Sequence, residues 1–490
     1  MDHRPFAVNF DPFTYQQPMM NWLKSRDRSA LFCSPGLGKT VVTLDAVAER
    51  IATGESRAAL IISPLRVTTI TWPNQIAFWD HAKWLKIAHL RTPEGWDMWK
   101  RGDFDVALIN PEQLPSIEKR IKCRTCKGDL INSIDCEDCE DGFTEQRNTG
   151  AVERMFKGTK TSHVDTLVID EISGAKSPTS RRFRSLWPWL ERFKYRIGLT
   201  GTPVPNNYLD LWGQMRLIDD GERLGRSFHH YKQTYFQQAD YMGYSYALRP
   251  GAKETIDRKL ADIALTMLGD DWLDVPTCES IDIDVKLPPA GVKEYKKMEK
   301  ELLIELEKSD VIALNAATLA GKLLQITSGA VYDDQRGVYQ VHDAKIEALK
   351  KLRKKHGKEP ILVLCSFRHE SARVLEAIPG ARMFDEKDLG AWQRGEIHTW
   401  CADARSLSHG LDGLQKSCRI AVWMTLTYSN ETYIQTNARI VRTGQSFATL
   451  IYRIVVPGTI DDAVAAALRD KSDTQTGLLM ALKNLQKIAA

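Results

Sequence analysis

Eight residues, Cys33-Ser34-Pro35-Gly36-Leu37-Gly38-Lys39-Thr40, have the composition of a loop that holds phosphate. Gly36 and Gly38 let the backbone turn its N–H groups inward around the β- and γ-phosphates of a nucleotide, and a following helix adds its positive end. Lys39 then neutralises the phosphates, and the Thr40 hydroxyl ligates Mg²⁺. Cys33 stands where the strict pattern has its first glycine, so an accidental glycine-rich turn is the alternative. A second half-site argues against it. Leu167-Val168-Ile169-Asp170-Glu171 is an apolar run ending in two acids. Asp170 suits the Mg²⁺ hydration shell, and Glu171 suits orienting and deprotonating an attacking water. Together the two segments read as hydrolysis of ATP with Mg²⁺.

A different chemistry is written in Cys123-x-x-Cys126 and Cys136-x-x-Cys139, each pair followed within a few residues by glycine, Gly128 and Gly142. Two such knuckles suit a closed tetrahedral Zn²⁺ site of four thiolates. No open coordination position is implied, so the expected metal is structural rather than catalytic. It either staples a long loop or presents Lys119, Arg120, Lys122, Arg124 and Lys127 to nucleic acid or a protein partner.

The elements that must position these groups follow from periodicity. Short apolar runs at 30–33, 59–62, 106–110, 166–169 and 195–199 read as strands of a parallel sheet with crossover helices, one of them over 41–51. A second set lies at 361–365, 397–401, 420–423 and 450–455. Residues 225–345 read mostly as helices, including 293–308 and 315–325. Open α/β sheets bind ligands at the carboxyl ends of their strands, which is where the loop and the acids fall.

Composition sets the outer bounds. The 490 residues, 43% hydrophobic and 27% charged, suit a globular protein of roughly three domains. A net charge of +4 does not announce a polyanion partner, so a nucleic-acid path would be a local patch. The opening MDHRPFAVNF has no secretion signal and no stretch is apolar enough to span a bilayer, so the expected setting is the cytoplasm, without a membrane partner. Nine cysteines there point to metal or buried thiols before disulfides.

With these motifs in order, the sequence resembles the superfamily-two helicases, and within them the Swi/Snf-type DNA translocases, over roughly residues 10–465. Tyr15-Gln16 stands where that family has its adenine-reading glutamine. Ile61-Ile62-Ser63-Pro64-Leu65, followed by Trp72, resembles its first DNA-contacting motif. Leu199-Thr200-Gly201-Thr202-Pro203, followed by Asn206-Asn207, is similar to the motif that couples hydrolysis to nucleic acid. Gly410-Leu411-Asp412-Gly413-Leu414-Gln415 resembles the fifth motif, and Gln435, Arg439, Arg442, Gly444 and Gln445 the sixth. Spacings of four and three would put Gln435, Arg439 and Arg442 on one helix face, two guanidinium forks suited to a γ-phosphate in its transition state. Ser173 replaces a common histidine, and Asp412-Gly413 replaces the usual asparagine.

The resemblance implies two RecA-like parallel-sheet lobes closing on ATP, with helical insertions and a small zinc-ribbon-like insertion. The expected organisation is lobe one at 1–225 with a zinc insertion at 119–145, a helical linker or protrusion at 226–345, lobe two at 346–467 and a C-terminal helix at 468–490. The implied activity is that of an ATP-dependent translocase or helicase on nucleic acid. Duplex DNA is favoured over single strands or RNA. The implied catalytic residues are Lys39, Glu171, Arg439 and Arg442, with Gln16, Gly36, Gly38, Thr40, Asp170 and Gly410 at the nucleotide. Nucleic-acid contacts are expected at Ser63, Pro64, Thr200 and Thr202. The alternative is an ATP-dependent switch, or a zinc-containing nucleic-acid-binding protein without processive movement. The compact chain resembles bacterial or phage-encoded members, a monomer in the host cytoplasm near the nucleoid.

Overall fold

Runs such as Ala-Leu-Ile-Ile and Val-Ala-Leu-Ile are apolar at every position, which suits strands covered on both faces and therefore a parallel sheet. In the computed structural model they are such strands. The structure describes residues 8–115, 117–122, 143–157, 163–175, 180–201, 208–238, 246–272, 276–307, 312–333, 335, 337–407 and 413–469. The cysteines Cys123, Cys126, Cys136 and Cys139, together with Thr202, Gly410 and residues 470–490 of the expected last helix, lie outside them.

The chain divides into two compact units, Met1–Cys33 with Gly38–Met267, and Ser34–Leu37 with Leu268–Ala490. The first is built on β1 (Arg28–Cys33), β2 (Ala59–Ile62), β3 (Ile87–His89), β4 (Val106–Ile109), β5 (Thr166–Asp170), β6 (Tyr195–Thr200) and β7 (Ala264–Met267). Across the sheet they run β7-β1-β6-β5-β2-β4-β3, each pair parallel. Register brings the strand ends level: Ile62 lies opposite both Ile109 and Ile169, Asp170 opposite Leu199, and Phe32 opposite Thr200. One face buries Phe32, Leu60, Ile62, Ile109, Leu167 and Ile169 beneath aromatic side chains that include Trp99, Phe156, Phe183 and Trp212. Helices α1 (Gln16–Lys24) and α2 (Lys39–Ala52) bracket β1 in sequence. Val42, Leu44, Ala46 and Val47 of α2 are fully buried, so packing overrides the modest helix preference of its β-branched residues.

The second unit is a sheet of β8 (Cys278–Asp284), β9 (Ile361–Cys365), β10 (Arg382–Met383), β11 (Thr399–Asp403), β12 (Ile420–Trp423) and β13 (Thr449–Val455). Its order is β8-β13-β12-β9-β11-β10, again all parallel. Alternate residues feed two cores: Leu362, Leu364, Trp400 and Trp423 on one face, Val363, Cys365, Val422 and Tyr452 on the other. These are two RecA-like lobes.

Several elements differ from the sequence-based expectation. The stretch 225–345 holds helices, among them Pro289–Glu307 and Ile312–Ser328, but it also supplies β7 to the first sheet and β8 to the second. Both are edge strands, and β8 reads Cys-Glu-Ser-Ile-Asp-Ile-Asp, largely exposed, with no apolar run to announce it. Its Asp282 is held by Arg453 at 2.6 Å and Arg469 at 3.2 Å. The strand expected at 397–401 begins at Thr399, after a turn at Gly395 whose φ is 73°.

Candidate ATP site

The loop between β1 and α2 shows why glycine is needed at two positions and not at the third. Gly36 and Gly38 have φ of 93° and 79°, in the left-handed region that other residues avoid. A Cβ on Gly38 would also stand 2.3 Å from Nε2 of Gln16. Cys33, by contrast, is still strand, and its side chain is buried with Sγ 3.8 Å from Sδ of Met19. Burial pushes that thiol up to about 11, so it remains a neutral packing group. Lys39 opens a fourteen-residue helix, and its ammonium donates across the loop to the Cys33 carbonyl at 2.8 Å. The loop is thus closed on itself at the end of a helix whose dipole favours an anion.

Gln16 is buried at the first position of α1, accepting from the Phe13 N–H at 3.0 Å and turning its amide nitrogen toward Gly38. The proposed adenine reader and the phosphate loop are therefore in contact. Phe13 and Tyr15 stack just before it, ring centroids 5.4 Å apart and 5° from parallel.

Asp170 ends β5 and is buried. Burial raises its carboxyl above the usual range, opposed by a hydrogen bond from Trp72 and by the charge of Lys39. The Trp72 indole N–H donates to Oδ2 at 3.0 Å. The buried Asp170 carboxylate within the field of Lys39, and the hydroxyl of Thr40 next to Lys39 in the first turn of α2, are hard oxygen donors of the kind Mg²⁺ takes, so these residue types fit that ion. Glu171 follows with φ of 58°, a conformation costing a non-glycine residue on the order of 1–3 kcal/mol. The twist directs its carboxylate to the end of β6, where Oε2 accepts from the Gly201 N–H at 3.3 Å.

The first unit thus brings together Gln16, Gly38, Lys39, Asp170, Glu171 and Gly201. It places the nucleic-acid candidates differently. Ser63 is fully buried, its hydroxyl 2.7 Å from that of Thr68, and Thr200 is buried at the end of β6. Ser63 thereby fixes the turn that leads through a π-helical stretch, Val67–Thr71, into the helix that begins with Trp72. Pro64 is half-buried at the same turn. The sequence marks Trp72 only as a companion of Ser63-Pro64, since its partner lies 98 positions away.

In the second unit the expectation of one helix face for Gln435, Arg439 and Arg442 is corrected. The helix Asn430–Asn437 ends before both arginines. There the Arg439 N–H bonds to Thr436 and the Ile440 N–H to Asn437, tightening the last turn. The Asn437 side chain is itself engaged, accepting from the Trp423 indole at 3.0 Å. Gln435 is buried, Arg439 donates to the Leu407 carbonyl at 3.1 Å, and Arg442 is half-buried. Two glutamines pin this irregular segment. Gln415 donates to the Thr443 carbonyl at 3.3 Å, and Gln445 to those of Cys418 at 2.9 Å and Ile440 at 3.1 Å.

Residues 15–373 match the family described as SNF2-related domain. Over 488 residues the chain is 31% identical to "Putative protein p41" of Acyrthosiphon pisum secondary endosymbiont phage 1, covering 97% of this chain and 99% of that one. Among solved structures it is similar to the Sulfolobus solfataricus SWI2/SNF2 ATPase core in complex with dsDNA, at 17% identity and a TM-score of 0.43, covering 99% of this chain and 98% of that one. Among the described residues no helix is long and apolar enough to cross a membrane. A family match over most of the chain, spanning a phosphate loop and an acid pair whose Asp170 lies within the field of Lys39, establishes the protein as a member of the SNF2-related, Swi/Snf-like branch of the superfamily-two helicases and translocases, a nucleic-acid-dependent ATPase.

Proposed function

We propose that the protein moves along duplex DNA, using ATP hydrolysis to advance its grip on the phosphate backbone without separating the strands. The observation that carries this reading is the bond from the Gly201 N–H to Glu171. Gly201 belongs to the stretch that, by resemblance, couples hydrolysis to nucleic acid, and Glu171 is the residue that would activate water. A shift at the end of β6 is then felt directly by the hydrolytic acid. The preference for duplex DNA rests on the Swi/Snf character of the motifs.

In this account the loop amides and Lys39 bind the β- and γ-phosphates, and Gln16 reads the adenine. Thr40 and Asp170 would hold Mg²⁺, which neutralises charge as the γ-phosphate leaves. Trp72 orients Asp170 by the one hydrogen bond described above, and Glu171 takes a proton from the attacking water. Arg439 and Arg442 supply guanidinium charge to the departing phosphate. Because Ser63 and Thr200 are buried, contact with a DNA backbone at these turns would use main-chain N–H groups and neighbouring side chains.

A structural Zn²⁺ on Cys123, Cys126, Cys136 and Cys139 belongs to the same proposal. Its support is the knuckle spacing together with the antiparallel stem of Ile117–Lys122 and Phe143–Asn148. Lys122 pairs with Phe143, so the segment carrying the four thiols leaves and returns at adjacent positions.

ATP-dependent displacement of a third strand from a triplex tests the movement. The reading expects displacement of the third strand with the underlying duplex left intact. Nucleic-acid-stimulated ATP turnover with no displacement would favour a switch instead.

A further inference from the structure

On the flank of the first unit an open groove of about 710 Å³ lies between the helix Ala151–Phe156 and the segment formed by Arg181–Leu186 and Trp187–Arg192. Its origin is legible in the sequence Arg-Arg-Phe-Arg-Ser-Leu. Phe183 and Leu186, three apart, are buried in the core, which turns Arg181 and Arg184, also three apart, out into the groove. Ser180 fixes this helix by accepting from the Phe183 N–H at 3.2 Å. On the opposite wall Lys157 lines the groove, 2.7 Å from Glu153. Trp189 lies half-buried in the lining, stacked on the buried ring of Phe156 with centroids 5.5 Å apart and 28° between planes.

We propose that this groove binds the phosphodiester backbone of a nucleic-acid strand, as a contact separate from the turns at the carboxyl ends of the strands. Three cations against one carboxylate line a concave surface. Two of the cations are arginines, whose planar forks match phosphate oxygens. Trp189 and Pro188 give an apolar floor for sugar and base faces, the combination of cationic walls and aromatic platform used by surfaces that hold nucleic acid without reading its sequence. An acidic peptide would satisfy the arginines but make no use of the apolar surface of Pro188 and Trp189. The groove adjoins the stem of the cysteine-bearing hairpin, since Leu114 and Pro115 just before it and Val152 just after it are all lining residues. This inference rests on the nucleic-acid reading of the protein and adds to it a second binding surface, on a helix whose Arg182, Phe183 and Leu186 line the cavity beside Asp170 and Glu171.

The test compares the whole protein with Arg181→Gln/Arg184→Gln and with Arg181→Glu/Arg184→Glu, measuring binding of a labelled duplex and a labelled single strand across a salt series. Both substitutions are on exposed positions, and thermal melting checks the fold of each. The proposal expects weaker binding in both variants and a log–log salt slope for the duplex reduced by about 1.8 in the glutamine variant, from two lost contacts at ~0.9 each. ATP turnover without nucleic acid should be unchanged. Binding and slope equal to wild type in both folded variants would overturn it. So would competition by polyglutamate that depends on the two arginines while oligonucleotide binding does not. If wild-type turnover failed to respond to any nucleic acid, the translocase reading would fall, while the binding slopes would still decide the groove.

Discussion

At the scale of single residues, the two acids at the end of β5 stand in different surroundings because the backbone treats them differently. Asp170 stays in the strand and is buried against Trp72, while Glu171 is twisted into the left-handed region and meets Gly201. Trp72→Phe keeps the buried ring but removes the N–H. Hydrogen bonds to charged groups contribute about 1.5–3 kcal/mol, so turnover should fall roughly ten- to hundredfold. A steeper Mg²⁺ requirement and near-normal nucleotide affinity would separate this positioning role from simple loss of packing, and an unchanged Mg²⁺ titration would contradict it. Lys39→Ala should abolish hydrolysis and leave the fold intact, since it removes a phosphate-facing cation and one hydrogen bond to the Cys33 carbonyl but no core atom. Arg439→Lys and Arg442→Lys should bind ATP yet lose turnover by about 10³-fold or more, because an ammonium cannot replace the planar fork. Paired measurements of nucleotide affinity and hydrolysis check both, and near-normal turnover in either lysine variant would remove that arginine from the reaction.

At the scale of elements, the second sheet carries a polar cluster beside the carboxyl ends of its strands. Lys345 and Asp461 are both buried and 2.7 Å apart; Lys345 also donates to the Met424 carbonyl, and Asp461 accepts from Thr327 at 2.8 Å. Lys345→Met leaves the carboxylate buried without its partner and should cost about 3–5 kcal/mol in chemical unfolding of this unit. Nearby, His369 is buried against Phe367 and Tyr332, and burial lowers its pKa to about 4. The folded state therefore holds it neutral while the unfolded chain takes up a proton below about 6.5. Stability contributed by this group is full above that pH and is lost as pH falls toward 4. His342 is lowered by burial too and adds the same sign, whereas buried Glu370 is raised and opposes it. The difference between wild type and His369→Phe isolates the single histidine: the variant should show a shallower loss of unfolding free energy between pH 6.5 and 4. Parallel curves would refute it. The interior strands of both sheets were legible because burial on two faces demands an unbroken apolar run. Edge strands β3, β7, β8 and β10 were not, being short or, in β8, interrupted by the acids Glu279, Asp282 and Asp284. The helix end at Asn437 was equally hidden, since it depends on Trp423 from a neighbouring strand. Of the ATP site, the loop and both acids could be read directly. Trp72's bond to Asp170 and the inward turn of Ser63 could not, because each is set by packing between residues the sequence does not juxtapose.

At the scale of the whole molecule, the ATP site is proposed to drive movement on a DNA track, and the cysteine-bearing insertion is proposed to hold zinc. About one Zn²⁺ per chain should appear in elemental analysis, and a strong chelator should release it with loss of order in the hairpin before loss of the lobes. Metal-free protein with all four of Cys123, Cys126, Cys136 and Cys139 open to a thiol reagent, and with unaltered melting, would remove zinc from the account. The central claim is that nucleic acid governs the chemistry at Glu171, and ATP turnover measured with duplex DNA, single-stranded DNA, RNA and no nucleic acid, each over a salt series, tests it most directly. Duplex DNA should accelerate turnover most, and the acceleration should fall steeply as salt rises because backbone contacts release counterions. A rate that is higher with single strands or RNA would contradict the duplex track, and a rate unchanged by every nucleic acid at low salt would contradict the claim itself.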